Sequence, residues 1–218
     1  MSDQLSQRLR AIGTELAAMS QTGLAFATDR YDLARYRRLR EIGASLLADV
    51  ASPDLDVPAL QAILECDGGY ATPHLDVRGA LFDDAGRVLL VREASDGRWT
   101  LPGGWADAED QPRDAVEREF AEEAGLAVRA VRVTAVDDGV VSNGHAKRGA
   151  PFHVWKVFFG CERRDDAQPA AGLDGETTDV GFFALGDLPP LSTGRTTVAQ
   201  LEWCARSHAD PSLPARAD

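Results

Sequence analysis

The chain reads as an α/β domain preceded by a small all-α module. Apolar residues recur at helical spacing through roughly the first 65 positions. From Leu75 onward the apolar stretches shorten to strand length and are separated by turns rich in Gly and Asp. One helical segment, between Pro112 and Gly125, interrupts the strands, and another follows them near the C-terminus.

Leu5, Leu9, Ile12, Leu16 and Met19 follow one another at spacings of 4, 3, 4 and 3, an apolar stripe that predicts a first helix ending at Gln21-Thr22-Gly23. Thr28 and Asp29 are good N-caps for a second helix running to about Asp49, with Leu33, Tyr36, Leu39, Ile42 and Leu46 on one side. A shorter third helix, Val57 to Cys66, follows Ser52-Pro53. Arg35, Arg37, Arg38 and Arg40 read as the solvated face of the second helix, in preference to a phosphate site. A helical unit this small buries little by itself, so it is expected to pack on the main domain or on a partner subunit.

Asp67-Gly68-Gly69 marks the boundary, which gives a helical module over 1–67 and a main domain over 68–208. Val77–Phe82, a turn at Asp83-Asp84-Ala85-Gly86, and Arg87–Arg92 predict a β-hairpin. A short strand at Trp99-Thr100-Leu101 comes next, then strands near 128–137, 152–161 and 178–184 and a last helix from Thr196 to Ser207. Residues 209–218, with two Pro and two Asp, are expected to be a disordered tail.

Composition narrows the function classes. Apolar residues make up 44% and charged residues 27%, and no apolar run approaches the ~20 residues of a membrane span. A cytoplasmic location is the expectation, since the N-terminus has no signal-peptide core. Cys66, Cys161 and Cys204 lack a CxxC pair and read as reduced structural thiols. Net charge is −12, and residues 1–50 hold seven Arg against six acids, so the acidity lies in the main domain. That argues against duplex nucleic acid as a partner, which needs a basic footprint.

Glu119, Glu122 and Glu123 stand at i, i+3 and i+4, on one face of the helix after Pro112. Three like charges there repel one another, and a hard cation such as Mg²⁺ or Mn²⁺ would relieve them. Gly103-Gly104 lets the backbone approach a metal or phosphate, Arg118 can brace the carboxylates, and Gly125 ends the helix. Residues 104–126 resemble the Nudix box, G-x5-E-x7-R-E-U-x-E-E-x-G-U. Gly104, Arg118, Glu119, Phe120, Glu122, Glu123, Gly125 and Leu126 match, eight of nine fixed positions. The departure is Asp110 in place of the first glutamate, which in the family usually supports the box arginine and the loop. Asp110 is also a good helix N-cap.

The resemblance reaches Tyr70–Pro73, Asp76–Gly79, Leu90–Glu93, Asp96–Trp99, Glu176–Phe183 and Leu188–Thr196, and is similar to a Nudix subgroup with an N-terminal helical module. It implies an α/β/α sandwich with a mixed sheet, a homodimer formed through the N-terminal helices, and a Mg²⁺- or Mn²⁺-dependent pyrophosphohydrolase. The reaction it implies cleaves a nucleoside diphosphate derivative of the ADP-ribose or CDP-choline type to NMP and X-phosphate. Nucleotide sugars and RNA 5′ ends are alternative substrates, and a non-catalytic ligand-sensing regulator is the alternative of another class.

Carried onto this sequence, the family's site implies Gly104, Glu119, Glu122 and Glu123 as metal ligands, with Arg118 orienting them. Glu119, Glu123 or Glu176 would be the general base, and Glu176 or Asp179 could reach in from the loop before the last strand or be surface acids. Arg78 and Arg92, on neighbouring strands, either face a phosphate or pair across the strands with Glu93 or Asp76. Trp105 is placed to line the pocket and Trp99 to fill core, while His145 and His153 have no partner that suggests a dyad.

Overall fold

The computed structural model describes residues 3–50, 56–139, 152–172 and 175–218. They form two units. His145 and Ser52-Pro53 lie outside the described residues.

The first unit comprises the chain to His74 together with Phe152 and His153. Helices α1 (Asp3–Phe26), α2 (Arg30–Ala48) and α3 (Val57–Cys66) make up its regular structure. Asp29 caps α2 by accepting from the backbone of Tyr31 and Asp32, and Asp56 caps α3 by accepting from Ala59. The first helix does not stop at Gly23. It runs on to Phe26, and the bare glycine serves close packing of α2 instead, since a Cβ there would meet the Tyr36 ring at 2.3 Å.

The buried side of α1 is also not the Leu/Ile/Met stripe but Arg10, Gly13, Ala17 and Ser20. Gly13 and Gly43 each lie within 3.2 Å of the other's carbonyl at the Cβ position, so small residues bring the two helices together. Leu5, Ile12, Met19 and Phe26 are left 46, 38, 51 and 68% exposed. The unit reaches past residue 67 because 68–74 are tied back to it. Gln21 donates to the Gly68 carbonyl, Ala71 N–H to Thr22 Oγ1, and His74 Nε2 stands 3.2 Å from Asp67.

The second unit holds β1 (His74–Leu81, counted from Leu75), β2 (Val88–Glu93), β3 (Trp99–Thr100), α4 (Pro112–Ala124), β4 (Val128–Asp138), β5 (Val154–Arg163), β6 (Thr177–Phe183), α5 (Val198–Ala209) and β7 (Arg216–Ala217). Strand order is β1-β5-β4-β7 in one sheet and β3-β2-β6 in the other. The larger sheet is mixed: β4 runs antiparallel to β5 and parallel to β7. The expected hairpin of β1 and β2 is reduced to a single bridge, Phe82 to Val88, because the two strands find their partners in different sheets.

Apolar side chains line both strand faces. Val77, Leu81, Leu89, Val91 and Phe159 pack with Val116 and Phe120 of α4, and Ala80, Leu90 and Phe158 with Leu201 and Cys204 of α5. This is the α/β/α layering. No described helix is long and apolar enough to cross a membrane, and the three cysteines are free thiols.

The expected disordered tail is instead ordered. β7 pairs with Ala135 and Val136, Arg216 grips the fully buried Asp137, and Arg132 donates to the carbonyls of Pro211 and Leu213. Polar local composition suggested disorder; these partners some 80 residues away decide otherwise.

Candidate active site

α4 carries the carboxylates. It starts at Gln111, which makes no side-chain cap, with Pro112 in the first turn, and ends at Gly125 in the left-handed conformation. Asp110 is thus not the N-cap; its carboxylate accepts from Asp107 N–H at 3.3 Å and from Arg118 Nη2 at 3.0 Å. Arg118 forks further, Nη1 donating to Glu119 at 3.0 Å and Glu122 at 2.9 Å. The bond to Asp110 leads, against desolvation, in holding its guanidinium protonated, and Glu119 and Glu122 add to it.

Facing α4 is the turn Gly103-Gly104. Gly103 has φ +137°, and a Cβ there would sit 2.0 Å from the Val77 carbonyl. Its N–H donates to Glu123 at 2.9 Å. A Cβ on Gly104 would lie 3.2 Å from a Glu119 carboxylate oxygen, so this bare backbone and the acid share one cradle. The Gly104 carbonyl accepts from Val77 N–H.

Glu119 and Glu123 are buried, while Glu122 is half-exposed. Burial pushes Glu123 up to about 8, opposed by Arg78 and the Gly103 N–H and reinforced by Glu119 and Glu93. Burial likewise raises Glu119, with Arg118 and Arg78 pulling it back. Such carboxylates are ready to gain from a hard cation, and their oxygens suit Mg²⁺ or Mn²⁺. Among the described residues no three His, Cys, Asp or Glu converge closely enough to hold one. The donor chemistry therefore fits, while the ring of ligands is not drawn together.

The remaining sequence candidates divide. Trp105 is exposed and its backbone bridges to Asp76. Arg92 lies on the surface with Nε on the Gly97 carbonyl. Arg78 is buried and turned inward, bidentate on Asp76, with Nη1 on the Leu101 carbonyl. Glu176 is exposed and precedes β6; its charge adds to the upward push that burial gives Glu93. Asp179 is exposed and accepts from Val180 N–H. His153 accepts from His74 N–H through its backbone, in the first unit.

Two comparisons decide the family. The NUDIX domain model matches residues 72–204. "Putative ADP-ribose pyrophosphatase YjhB" of Bacillus subtilis (strain 168) is 38% identical over 196 residues, 90% of this chain and 86% of that protein. The chain belongs to the Nudix hydrolases. A second model, a UDP-X-like N-terminal oligomerisation domain, matches residues 7–61.

Two solved structures are similar as well. An ADP-ribose pyrophosphatase from Streptococcus suis 89-1591 is 39% identical, with a TM-score of 0.60, covering 67% of this chain and 100% of its own. A UDP-X diphosphatase is 29% identical, with a TM-score of 0.61, covering 98% and 99%.

Sequence reasoning missed the buried charges beside the Nudix box: Lys156, Glu93 and the Asp76–Arg78 pair as a unit. A signal existed for two of them. Asp76 and Arg78 sit at i and i+2 of an otherwise apolar strand, hence on one face.

Proposed function

We propose that this Nudix pyrophosphohydrolase cleaves the diphosphate of a nucleoside diphosphate joined to a second moiety, of the ADP-ribose or CDP-choline type, giving NMP and X-phosphate. The observation that carries the reading is the pair of buried glutamates, Glu119 and Glu123, set against the Gly103-Gly104 turn. The names of the relatives favour the same substrate class. Glu119, Glu122 and Glu123, with the Gly104 carbonyl, would hold Mg²⁺ or Mn²⁺. The bound cation supplies charge neutralisation on the diphosphate and a more acidic water.

The chain's own residues do the rest. Arg118 fixes Glu119 and Glu122 through one guanidinium, so the helix presents both in set rotamers. The Gly103 N–H fixes Glu123. Exposed Trp105, next to the box glycines, offers a face for a base. The proton from the attacking water goes to one of Glu119, Glu123 and Glu176, which single Gln variants separate. Replacing Glu123 by Gln is expected to lower turnover by roughly 10²-fold or more with the fold intact. The assay is a panel of ADP-ribose, CDP-choline and UDP-sugars with Mg²⁺ or Mn²⁺ and products identified. Full activity in the variant would sink the assignment.

The first unit is proposed to form the homodimer. Leu5, Ile12, Met19 and Phe26 recur every seven residues and stand exposed, a heptad seam that needs a second apolar face. A second copy of the chain supplies one.

A further inference from the structure

A buried arginine near buried glutamates ordinarily bonds to them directly. Arg78 does not. Both of its bonds to a carboxylate go to Asp76, from Nε at 2.8 Å and Nη2 at 2.9 Å, and Nη1 takes the Leu101 carbonyl at 3.2 Å. Yet it stands beside the box. Gly103 adjoins both: its N–H donates to Glu123, and a Cβ on it would fall 2.9 Å from the Arg78 Cα. The charge of Arg78 is felt by Glu123, Glu119 and Glu93, lowering all three against their burial.

Asp76 is itself anchored from the far side. Lys156, fully buried on β5, stands 3.6 Å from its carboxylate and donates to the Arg195 carbonyl at 2.5 Å. Asp76, Arg78 and Lys156 are among the most buried charged groups of the unit. Burying them is unfavourable beside an apolar core of the same volume, so a purely structural role explains them poorly.

We propose that Asp76 is a positioning residue: its bidentate grip keeps Arg78 as a resident counter-charge for the box glutamates while preventing the guanidinium from bonding to them. A divalent cation then meets Glu123 held by the Gly103 N–H and not by Arg78, while the ion pairs of the box are those of Arg118 with Glu119 and Glu122. The proposal rests on the cation-site reading above.

The test is thermal unfolding of the full chain during a Mn²⁺ titration without substrate, where stabilisation reports the dissociation constant. Wild type must be stabilised; if it is not, the cation site itself fails. Asp76→Asn releases Arg78 onto Glu123 and Glu119, and Mn²⁺ binding weakens about tenfold, the worth of roughly one charge-assisted hydrogen bond. Arg78→Lys, which keeps the charge but loses the fork, weakens it in the same direction and stands in should Asp76→Asn not fold.

Arg78→Met lowers the metal-free melting temperature and tightens Mn²⁺ binding several-fold. The Asp76→Asn/Arg78→Met double variant matches Arg78→Met, because Asp76 acts through Arg78. Weakening by Arg78→Met, or unchanged binding in both Asp76→Asn and Arg78→Lys, overturns the proposal.

Discussion

The helical unit hides Gly13, Ala17, Ser20, Gly43 and Ala44 and displays Leu5, Ile12, Met19 and Phe26, whereas the Nudix unit hides Asp76, Arg78, Glu93, Glu123, Asp137 and Lys156. Each inverts the usual sorting of side chains in its own way. Apolar groups left outside call for another apolar surface; charges taken inside call for counter-charge. Asp76, Glu93 and Asp137 find it in Arg78, Arg195 and Arg216; a second copy of the chain for the seam, and a cation for Glu119 and Glu123, are the partners proposed above.

The largest effect is expected where the first inversion is removed. Ile12→Glu with Met19→Glu puts two charges on the exposed seam, and light scattering after size exclusion should show the mass halve while helicity is kept. A wild type that is already monomeric would break the comparison at this end.

The C-terminal tail tests the second inversion away from the active site. Arg216 holds fully buried Asp137 at 2.5 Å, with Gln200 at 3.0 Å as the other partner. Arg216→Ala leaves that charge half-partnered and should destabilise by about 3 kcal/mol in urea unfolding. A loss near zero would mean the tail contributes nothing to the unit.

Glu123 gives the pH test. Its folded value of about 8 lies above the ordinary carboxyl value of 4.5. The folded state therefore binds its proton more tightly than the unfolded state, and stability is present below about 4.5 and lost as pH rises toward 8. The metal-free protein should lose on the order of 5 kcal/mol across that window by this route. Glu123→Gln should abolish that component of the slope, which differential scanning calorimetry at pH 5 and 8 reads directly.

How much of this was legible in the sequence follows the range of each interaction. Helix α2 was legible because Asp29 caps it within three residues. The box was legible because Glu119, Glu122, Glu123 and their brace Arg118 lie within two turns of one helix. The buried side of α1 was not, because a Gly13–Gly43 crossing buries residues with no hydrophobic signal. Nor was the fate of Lys156, which looks like an interruption in Val154–Phe159 until Asp76, 80 positions earlier in the chain, is beside it. The ordered tail escaped for the same reason, since Asp137 lies far from Arg216 in sequence.

The smallest effect sharpens the comparison most, because distance is nearly held constant. Arg35 reaches Asp32 at 2.6 Å and Arg78 reaches Asp76 at 2.8 Å, yet the Arg35 side chain is 73% exposed and that of Arg78 only 4%. Water already solvates the first pair, and two long side chains lose rotamer freedom to hold it. Arg35→Ala should therefore change stability by less than about 0.5 kcal/mol, measured by urea unfolding at low salt. Arg78→Ala strips a counter-charge from buried Asp76 and from the box glutamates, where no water substitutes for it. If the two substitutions proved equally mild, burial would not be what distinguishes the charges of the Nudix unit, and their case as a counter-charge system would fall with it.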